Sequence, residues 1–456
     1  IVGTATNQEY DSAPGDIRAF DVRTGKLAWT FHTIPHEGEF GYDTWPKDAW
    51  KTVGGANNWA EMSVDEKRGI VYIPTASPKY NFYGANRKGM NLFGDCLLAL
   101  DARTGKRLWH FQMVHHDIWD WDNATAPKLL TVRHNGRDVD IVAQAGKTGF
   151  LYVFDRVTGQ PLWPIEERPV PKSDMPGEET WPTQPFPTHP RPFARQSFTE
   201  KDLSDFLDPD ERATLVQDLR NARNEGMFTP PGLRPAVEMP GNNGGGNFGG
   251  AAIDPVRHML IVVSKDVPSM LKLELGGANS STWRNGPLKD SPPPEGVDPA
   301  TLRYKSGFGF IMSRKGLTAI KPPWTTLTAY DMDSGNIRYQ MPLGDVKGLG
   351  VSGTGSHFPK IGPVITAGGL IFVGARDGVV RALDVETGKQ LWSATVGAGI
   401  EGIPAVYEVN GKQYIVYCAA ARATSYTHNV PGHAADTSPV PGAYVAFALP
   451  SVPPSR

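Results

Sequence analysis

Short apolar runs, each closed by a turn, recur along the chain. Leu97-Leu98-Ala99-Leu100, Leu151-Tyr152-Val153-Phe154 and Val380-Arg381-Ala382-Leu383 are of strand length, and Ile70-Val71-Tyr72-Ile73 and Met259-Leu260-Ile261-Val262-Val263 read the same way. Runs this short, bounded by Gly, Asp and Pro, predict strands rather than helices. The first three are followed by one pattern: Asp, two residues, Thr or Ser, Gly, three residues, Trp or Tyr. It occurs five times, at Asp21, Thr24, Gly25, Trp29; Asp101, Thr104, Gly105, Trp109; Asp155, Thr158, Gly159, Trp163; Asp331, Ser334, Gly335, Tyr339; and Asp384, Thr387, Gly388, Trp392. Asp bonds forward to N–H groups of the turn, Gly supplies a positive φ, and the aromatic lies on the returning strand. Each copy therefore predicts a tight β-hairpin.

Trp109 and Trp163, like Tyr339 and Trp392, are about 50 residues apart, the length of one four-stranded propeller blade. The predicted fold is all-β, a propeller, in a single domain over 1–456. An insertion at about 164–240 interrupts it. Its first part is Pro-rich, and 208–223 has an Asp start, an acidic first turn and helical apolar spacing, which predicts a surface helix. A last strand is predicted at 443–449, before a Pro-rich tail.

Composition changes this picture little. The 50 Gly and 40 Pro suit a turn-rich β protein, and 12 Trp, 14 Tyr and 19 Phe demand burial, so low complexity is excluded. A net charge of −2 gives no footprint for nucleic acid or an anionic membrane. No apolar run approaches the roughly 18 residues of a membrane span, and no signal peptide is visible. The chain opens on Ile1-Val2-Gly3, as if in mid-strand, so an N-terminal part is expected upstream. Cys96 and Cys418 sit in no metal or haem spacing, and whether they pair is not legible.

Candidate chemistry is concentrated in Val114-His115-His116-Asp117-Ile118-Trp119-Asp120-Trp121-Asp122, just after a strand-like run at 108–112. A carboxylate beside an indole is shielded from water, which raises its pKa and suits it to general-base work. A polar loop with Trp packed on a neighbouring strand is the other reading.

The repeated turn is similar to the tryptophan-docking motif of the pyrroloquinoline quinone (PQQ) dehydrogenases, and the His115–Asp122 stretch looks like their catalytic loop. Two further segments, Gly226–Pro231 and Pro404–Val416, resemble the membrane-bound quinoprotein glucose dehydrogenase branch. The resemblance implies an eight-bladed propeller with the cofactor on its axis, of which the first two or three blades are missing here. It implies PQQ, a planar o-quinone with three carboxylates, and a divalent cation, calcium or magnesium, bound by hard oxygens and acting as a Lewis acid. The reaction implied is oxidation of a sugar or polyol hydroxyl by hydride transfer to the quinone. Electrons then pass to ubiquinone or another acceptor, in the periplasm or facing it. Membrane contact would come from the part upstream of Ile1.

Residue by residue, Asp120 matches the catalytic aspartate, with Asp117 and Asp122 as turn caps. His115 and His116 either line the pocket or pack the loop. Lys147 falls where this branch places a lysine beside the quinone, where a cation would stabilise developing charge. An exposed lysine before a turn is the alternative. Trp59, after Asn57-Asn58, matches the tryptophan on which the cofactor stacks; a blade-core Trp is the alternative. Thr6 and Asn247 complete the cofactor set. Glu9, Ser77 and Asp120 are the metal-ligand candidates, although Ser77 is a weaker ligand than the Asn of alcohol-oxidising relatives. The Gly-rich run 242–250 predicts a close backbone approach at the site rim. An asparagine expected near the quinone on the next strand is absent from Val262–Asp266. Adjacent cysteines and a C-terminal haem domain are both absent, which favours the sugar or polyol branch over a PQQ-dependent alcohol dehydrogenase. A non-enzymatic propeller scaffold is the third reading.

Overall fold

The Asp turn forms at all five positions of the repeat. Asp21 Oδ1 accepts from the N–H groups of Arg23 and Thr24 at 3.0 and 2.8 Å. Asp101, Asp155, Asp331 and Asp384 make the same pair of bonds. The five glycines have φ between 68° and 75°, the left-handed region that a residue with a Cβ enters only at a cost. The structure is a computed structural model that describes residues 1–276, 292–357, 360–421 and 442–449; the Pro-rich tail lies outside them.

Three of the five aromatics of the repeat rest on the next copy. A Cβ on Gly105 would lie 2.6 Å from the ring of Trp29, whose indole N–H donates to the carbonyl of Ala102 at 3.2 Å. Trp109 rests likewise on Gly159 and donates to Arg156 O at 3.1 Å. Tyr339 rests on Gly388 and donates to Val385 O at 2.9 Å. The acceptor is always the residue after the Asp. One nine-residue pattern thus makes both a hairpin and a clasp between successive sheets.

Contacts gather into two compact units, Ile1–Asn247 with Asp266–Ser313 and Thr318–Lys321, and Phe248–Lys265 with Arg314–Leu317 and Pro322–Arg456. The chain passes between them inside continuous sequence, as between Asn247 and Phe248, so no linker or composition shift marks a boundary.

In the first unit β1 (Ile17–Phe20) pairs with β2 (Leu27–Phe31). Strands β3 (Ser63–Asp65), β4 (Ile70–Pro74), β5 (Cys96–Asp101) and β6 (Arg107–Gln112) form an antiparallel four-stranded sheet in chain order. β7 (Lys128–His134), β8 (Arg137–Ala145) and β9 (Leu151–Asp155) form a three-stranded one. β5 is buried from Cys96 to Leu100, as expected of a central strand covered on both faces. The second unit holds three further four-stranded antiparallel sheets, including Leu370–Gly374 paired with Val379–Asp384 and Lys412–Ala421 paired with Ala443–Ala448.

The insertion contains a hairpin, Ile165–Pro169 with Thr183–Pro187, and helix α1 (Pro209–Asn221). The helix starts where the sequence predicts. Asp208 caps it in a reciprocal capping box with Glu211, and Pro209 stands at the first position. It ends at Asn221, two residues before the predicted 223. Cys96 and Cys418 are both free thiols.

Candidate active site

The loop between β6 and β7 is shaped by Asp117. Its Oδ1 accepts from the N–H of Trp119 and its Oδ2 from the N–H of Trp121, both at 2.8 Å, while the Ser77 hydroxyl donates to Oδ2. Asp117 therefore caps the turn, as the sequence suggests. Two non-glycine residues of the loop have positive φ, His116 at 45° and Asp120 at 60°. Such conformations persist only where the surroundings over-determine them.

The insertion supplies much of that support. Trp119 donates its indole N–H to Thr229 O at 2.9 Å and Trp121 to Pro240 O at 3.2 Å. Phe228 packs edge-on against both rings, at 5.2 and 5.0 Å. Gln184 exchanges two bonds with the backbone of His115, and the His115 ring reaches Gln112 and Glu167. His116 is fully buried, with Nε2 2.7 Å from Glu178 Oε1 and Nδ1 2.8 Å from Gly89 O. Both histidines hold the loop. The segment 226–231 is the clamp over the indoles.

At the end of this turn Asp120 meets Lys147. Lys147 Nζ donates to Asp120 Oδ2 at 2.9 Å, to Asp120 O at 2.8 Å, and lies 2.7 Å from Asp122 Oδ2. Lys147 is 5 % exposed, not the surface lysine of the alternative reading. Burial works against its charge, but the two carboxylates outweigh burial and raise its pKa. Asp122 also accepts from the N–H of Ser77 at 2.8 Å. For it too burial opposes charge, but Lys147, Lys79 and that N–H prevail and hold it below the usual carboxylate range. Asp120 goes the other way. Burial, only partly offset by Lys147, pushes it up to about 7. Two neighbouring carboxylates whose pKa values are driven apart mark an acid–base pair with separate roles: Asp122 stays ionised as counter-ion, and Asp120 can exchange a proton near neutrality.

Glycines make room for this cluster. A Cβ on Gly244 would lie 2.4 Å from Lys147 Cβ, and Gly245 donates its N–H to Lys147 O at 2.8 Å. The predicted close approach of the Gly-rich run is this contact. Asn247, within the run, donates to Asn243 O at 2.9 Å. Ahead of the run, Glu238 is buried and its pKa is raised well above the usual value, by burial first and then by Asp120.

Trp59 is half-buried and makes no hydrogen bond or ring contact among the described residues. Its neighbours are fixed: Asn57 donates to Thr4 O at 2.7 Å and accepts from the Thr6 hydroxyl at 3.0 Å, and Asn58 donates to Pro74 O at 2.7 Å. The indole is thus a flat apolar surface on a rigid support. Thr6 reaches this segment through Asn57.

Three residues missed in the sequence complete the cluster. Asn81 donates Nδ2–H to Asp120 Oδ1 at 2.8 Å and to Gln8 Oε1 at 3.0 Å, and its own Oδ1 is buried without a partner. Lys79, 2 % exposed, donates to the same Gln8 oxygen at 2.8 Å. The only available signal was polar Lys79 and Asn81 alternating with the aromatic residues Tyr80, Phe82 and Tyr83.

The three metal-ligand candidates do not converge. Glu9 is ion-paired with Lys305 at 2.5 Å, Ser77 donates its hydroxyl to Asp117, and both Asp120 oxygens receive N–H bonds. Among the described residues no three His, Cys, Asp or Glu side chains are grouped to hold a metal ion. Calcium takes six to eight oxygens and magnesium demands a near-ideal octahedron. Here the site oxygens other than Asn81 Oδ1 are already taken by two ammonium groups and several N–H donors. This donor set does not fit a divalent cation. The fit to PQQ is better, since an indole face without a partner among the described residues and two buried ammonium groups suit a flat, anionic quinone.

A family model described as PQQ: glucose/ethanol/alcohol dehydrogenase, beta-propeller domain, matches residues 1–415. The quinate/shikimate dehydrogenase (quinone) of Acinetobacter baylyi is 33% identical over 454 residues, covering 94% of this chain and 54% of that protein. The quinoprotein glucose dehydrogenase of Escherichia coli is 31% identical over 477 residues, with 99% and 56% covered. The glycerol dehydrogenase large subunit of Gluconobacter thailandicus is 30% identical over 457 residues, with 96% and 60% covered. The chain spans little more than half the length of these relatives. Among solved structures, the quinohemoprotein alcohol dehydrogenase from Comamonas testosteroni matches with a TM-score of 0.63 at 20% identity, covering 98% of this chain and 58% of that one, a likeness of fold.

Proposed function

The chain belongs to the PQQ-dependent dehydrogenase family of β-propellers, and from that premise we propose that it oxidises a CH–OH group of a polyhydroxylated substrate, a sugar, polyol or cyclic hydroxy acid. The observation that carries this reading is Asp120, a buried carboxylate pushed up to about 7, held by Lys147 and Asn81 at the end of a strained turn.

Asp120 takes the proton of the substrate hydroxyl as that carbon becomes a carbonyl. Bound PQQ supplies the acceptor for the hydrogen and electron pair that leave the carbon. Lys147 keeps the Asp120 side chain in place and supplies positive charge where negative charge develops. Asp122 balances that lysine in every protonation state of Asp120. The orphaned Asn81 Oδ1 is an acceptor beside the base, which a substrate O–H would satisfy. Trp59 would carry the cofactor plane, with Thr6 and Asn247 at its edges.

Relatives whose names specify quinate or shikimate, glucose and glycerol support a substrate with several hydroxyls. A simple primary alcohol is the second choice, because Lys147 stands where alcohol-oxidising members place an arginine. A quinone such as ubiquinone would take the electrons onward, as the names of three relatives include a quinone, and the expected setting is the periplasm.

The test is PQQ titration followed by turnover. The chain is titrated with PQQ and its thermal midpoint measured, since a ligand bound only by the folded form raises it. Loaded protein is then offered aldoses, polyols, quinate and primary alcohols with an artificial electron acceptor. Binding and oxidation of a polyhydroxylated substrate are expected. PQQ binding without turnover of any substrate would leave a cofactor-binding scaffold, and no binding would reject the reading.

A further inference from the structure

Lys79 is the feature that this chemistry does not absorb. An ammonium group has three donors, and a buried one is costly unless paired. Lys147, equally buried, meets two carboxylates and a carbonyl. Lys79, 2 % exposed, has one hydrogen bond, to the neutral Gln8 amide oxygen at 2.8 Å. It makes no ion pair among the described residues. Two of its N–H groups have no partner among the described residues, and its charge is met only at a distance, by Asp120 and Asp122.

Its position is fixed by the backbone that carries Trp59. The Lys79 N–H donates to Gly54 O at 2.9 Å, and a Cβ on Gly55 would lie 2.8 Å from Lys79 Cγ. Through Gln8 and Asn81 the ammonium is linked by three hydrogen bonds to Asp120. One short segment therefore brings an under-satisfied cation and an unpartnered indole to the base. Meanwhile the oxygens that would ligate a divalent cation are committed elsewhere: Glu9 to Lys305, Ser77 to Asp117, and Gln8 to Lys79 itself.

We propose that Lys79 takes the role of the divalent cation: its ammonium neutralises the acidic edge of PQQ, and this chain binds the cofactor without a divalent metal. The proposal rests on the quinoprotein reading above. A monovalent organic cation tethered at the site satisfies a carboxylate or quinone oxygen with its free N–H groups. It also explains why two lysines, not one, are buried beside Asp120.

The experiment is a PQQ titration followed by quenching of tryptophan fluorescence, with chelator-treated protein, in chelator and again with millimolar calcium or magnesium. Wild type is expected to bind equally, within twofold, in both media. Lys79→Met keeps the bulk of the stem and removes the charge; it is expected to bind at least tenfold more weakly in chelator. Lys79→Arg, which restores a cation, is expected to regain most of that loss, and circular dichroism reports whether each variant is folded. Wild-type binding that requires added metal overturns the proposal and leaves the function standing. So does Lys79→Met binding as tightly as wild type. Absence of PQQ binding in every medium overturns both.

Discussion

Lys147 holds Asp120 at two points, the carboxylate at 2.9 Å and the backbone carbonyl at 2.8 Å. The same ammonium therefore fixes where the base points and how the turn beneath it is bent. Asp120→Asn keeps the shape and the Asn81 contact side but removes the proton acceptor. Loss of a positioned general base costs roughly 10²–10⁴-fold in rate. The expected outcome is a fall of that size in kcat with PQQ affinity unchanged, read by turnover and by cofactor titration on the same preparation.

The pH profile has a definite sign. Asp120 must be ionised to accept a proton, and burial pushes its pKa up to about 7. The rate is expected to fall as pH drops below about 7 and to level off above it. Lys147 opposes the effect of burial, so Lys147→Met moves this acidic limb to higher pH as well as slowing turnover. Measured profiles of kcat/KM decide the point, since they report the free enzyme. A limb that moves to lower pH on removing the lysine would contradict the assignment.

The clasp between sheets is testable with two alanines. Gly25 and Gly105 share the same left-handed φ, 68° and 73°. A Cβ on Gly25 meets nothing within 4 Å, whereas on Gly105 it would strike the Trp29 ring at 2.6 Å. Gly25→Ala should lose about 1 kcal/mol to backbone strain alone. Gly105→Ala adds a steric clash in a packed core, which typically costs a further 1–3 kcal/mol or so. Denaturant unfolding of both variants gives the difference, and equal losses would remove the clasp from the account.

What the sequence disclosed follows from range. The hairpin turn is a local pattern, so Asp21 through Gly388 could be read directly, and the helix cap at Asp208 likewise. Asp120, Lys147 and Trp59 lie in short distinctive strings, which is why the sequence singles them out as candidates. It does not single out Lys79, Asn81 and Gln8, because their meaning depends on contacts spanning 39 to 73 residues. Glu9 was chosen for its charge, yet the neighbouring neutral Gln8 makes the contacts at the site. Within the insertion only the helix at 208–223 reads as surface; Phe228 is marked through the resemblance of 226–231, while Glu178 and Gln184 carry no local sign of the loop they hold.

Trp59→Ala separates the cofactor site from the scaffold. The indole is half-buried and bonds to nothing among the described residues, so stability should change by less than about 1 kcal/mol. PQQ affinity should fall at least about tenfold, the scale of an aromatic stacking contact with its buried area. A stability loss as large as that of a core tryptophan would return Trp59 to the blade interior.

Glu178 ties the loop to the insertion. Burial opposes its charge, but His116, the Gly84 N–H and Arg87 outweigh burial and keep its pKa below the ordinary carboxylate value. A depressed carboxylate contributes stability that is present above its unfolded value of 4.5 and lost as pH falls through the folded one. Wild type should therefore lose stability from about pH 4.5 downward more steeply than Glu178→Gln, which cannot titrate there. At neutral pH, Glu178→Ala leaves His116 buried without its carboxylate, a change that typically costs about 3–5 kcal/mol. Because His116 and Asp120 share one turn with two positive φ values, relaxing the first should release the second. Turnover of Glu178→Gln is then expected to fall even at a temperature where the fold is intact. Unchanged turnover with lowered stability would mean that the insertion holds the fold but not the geometry of the base.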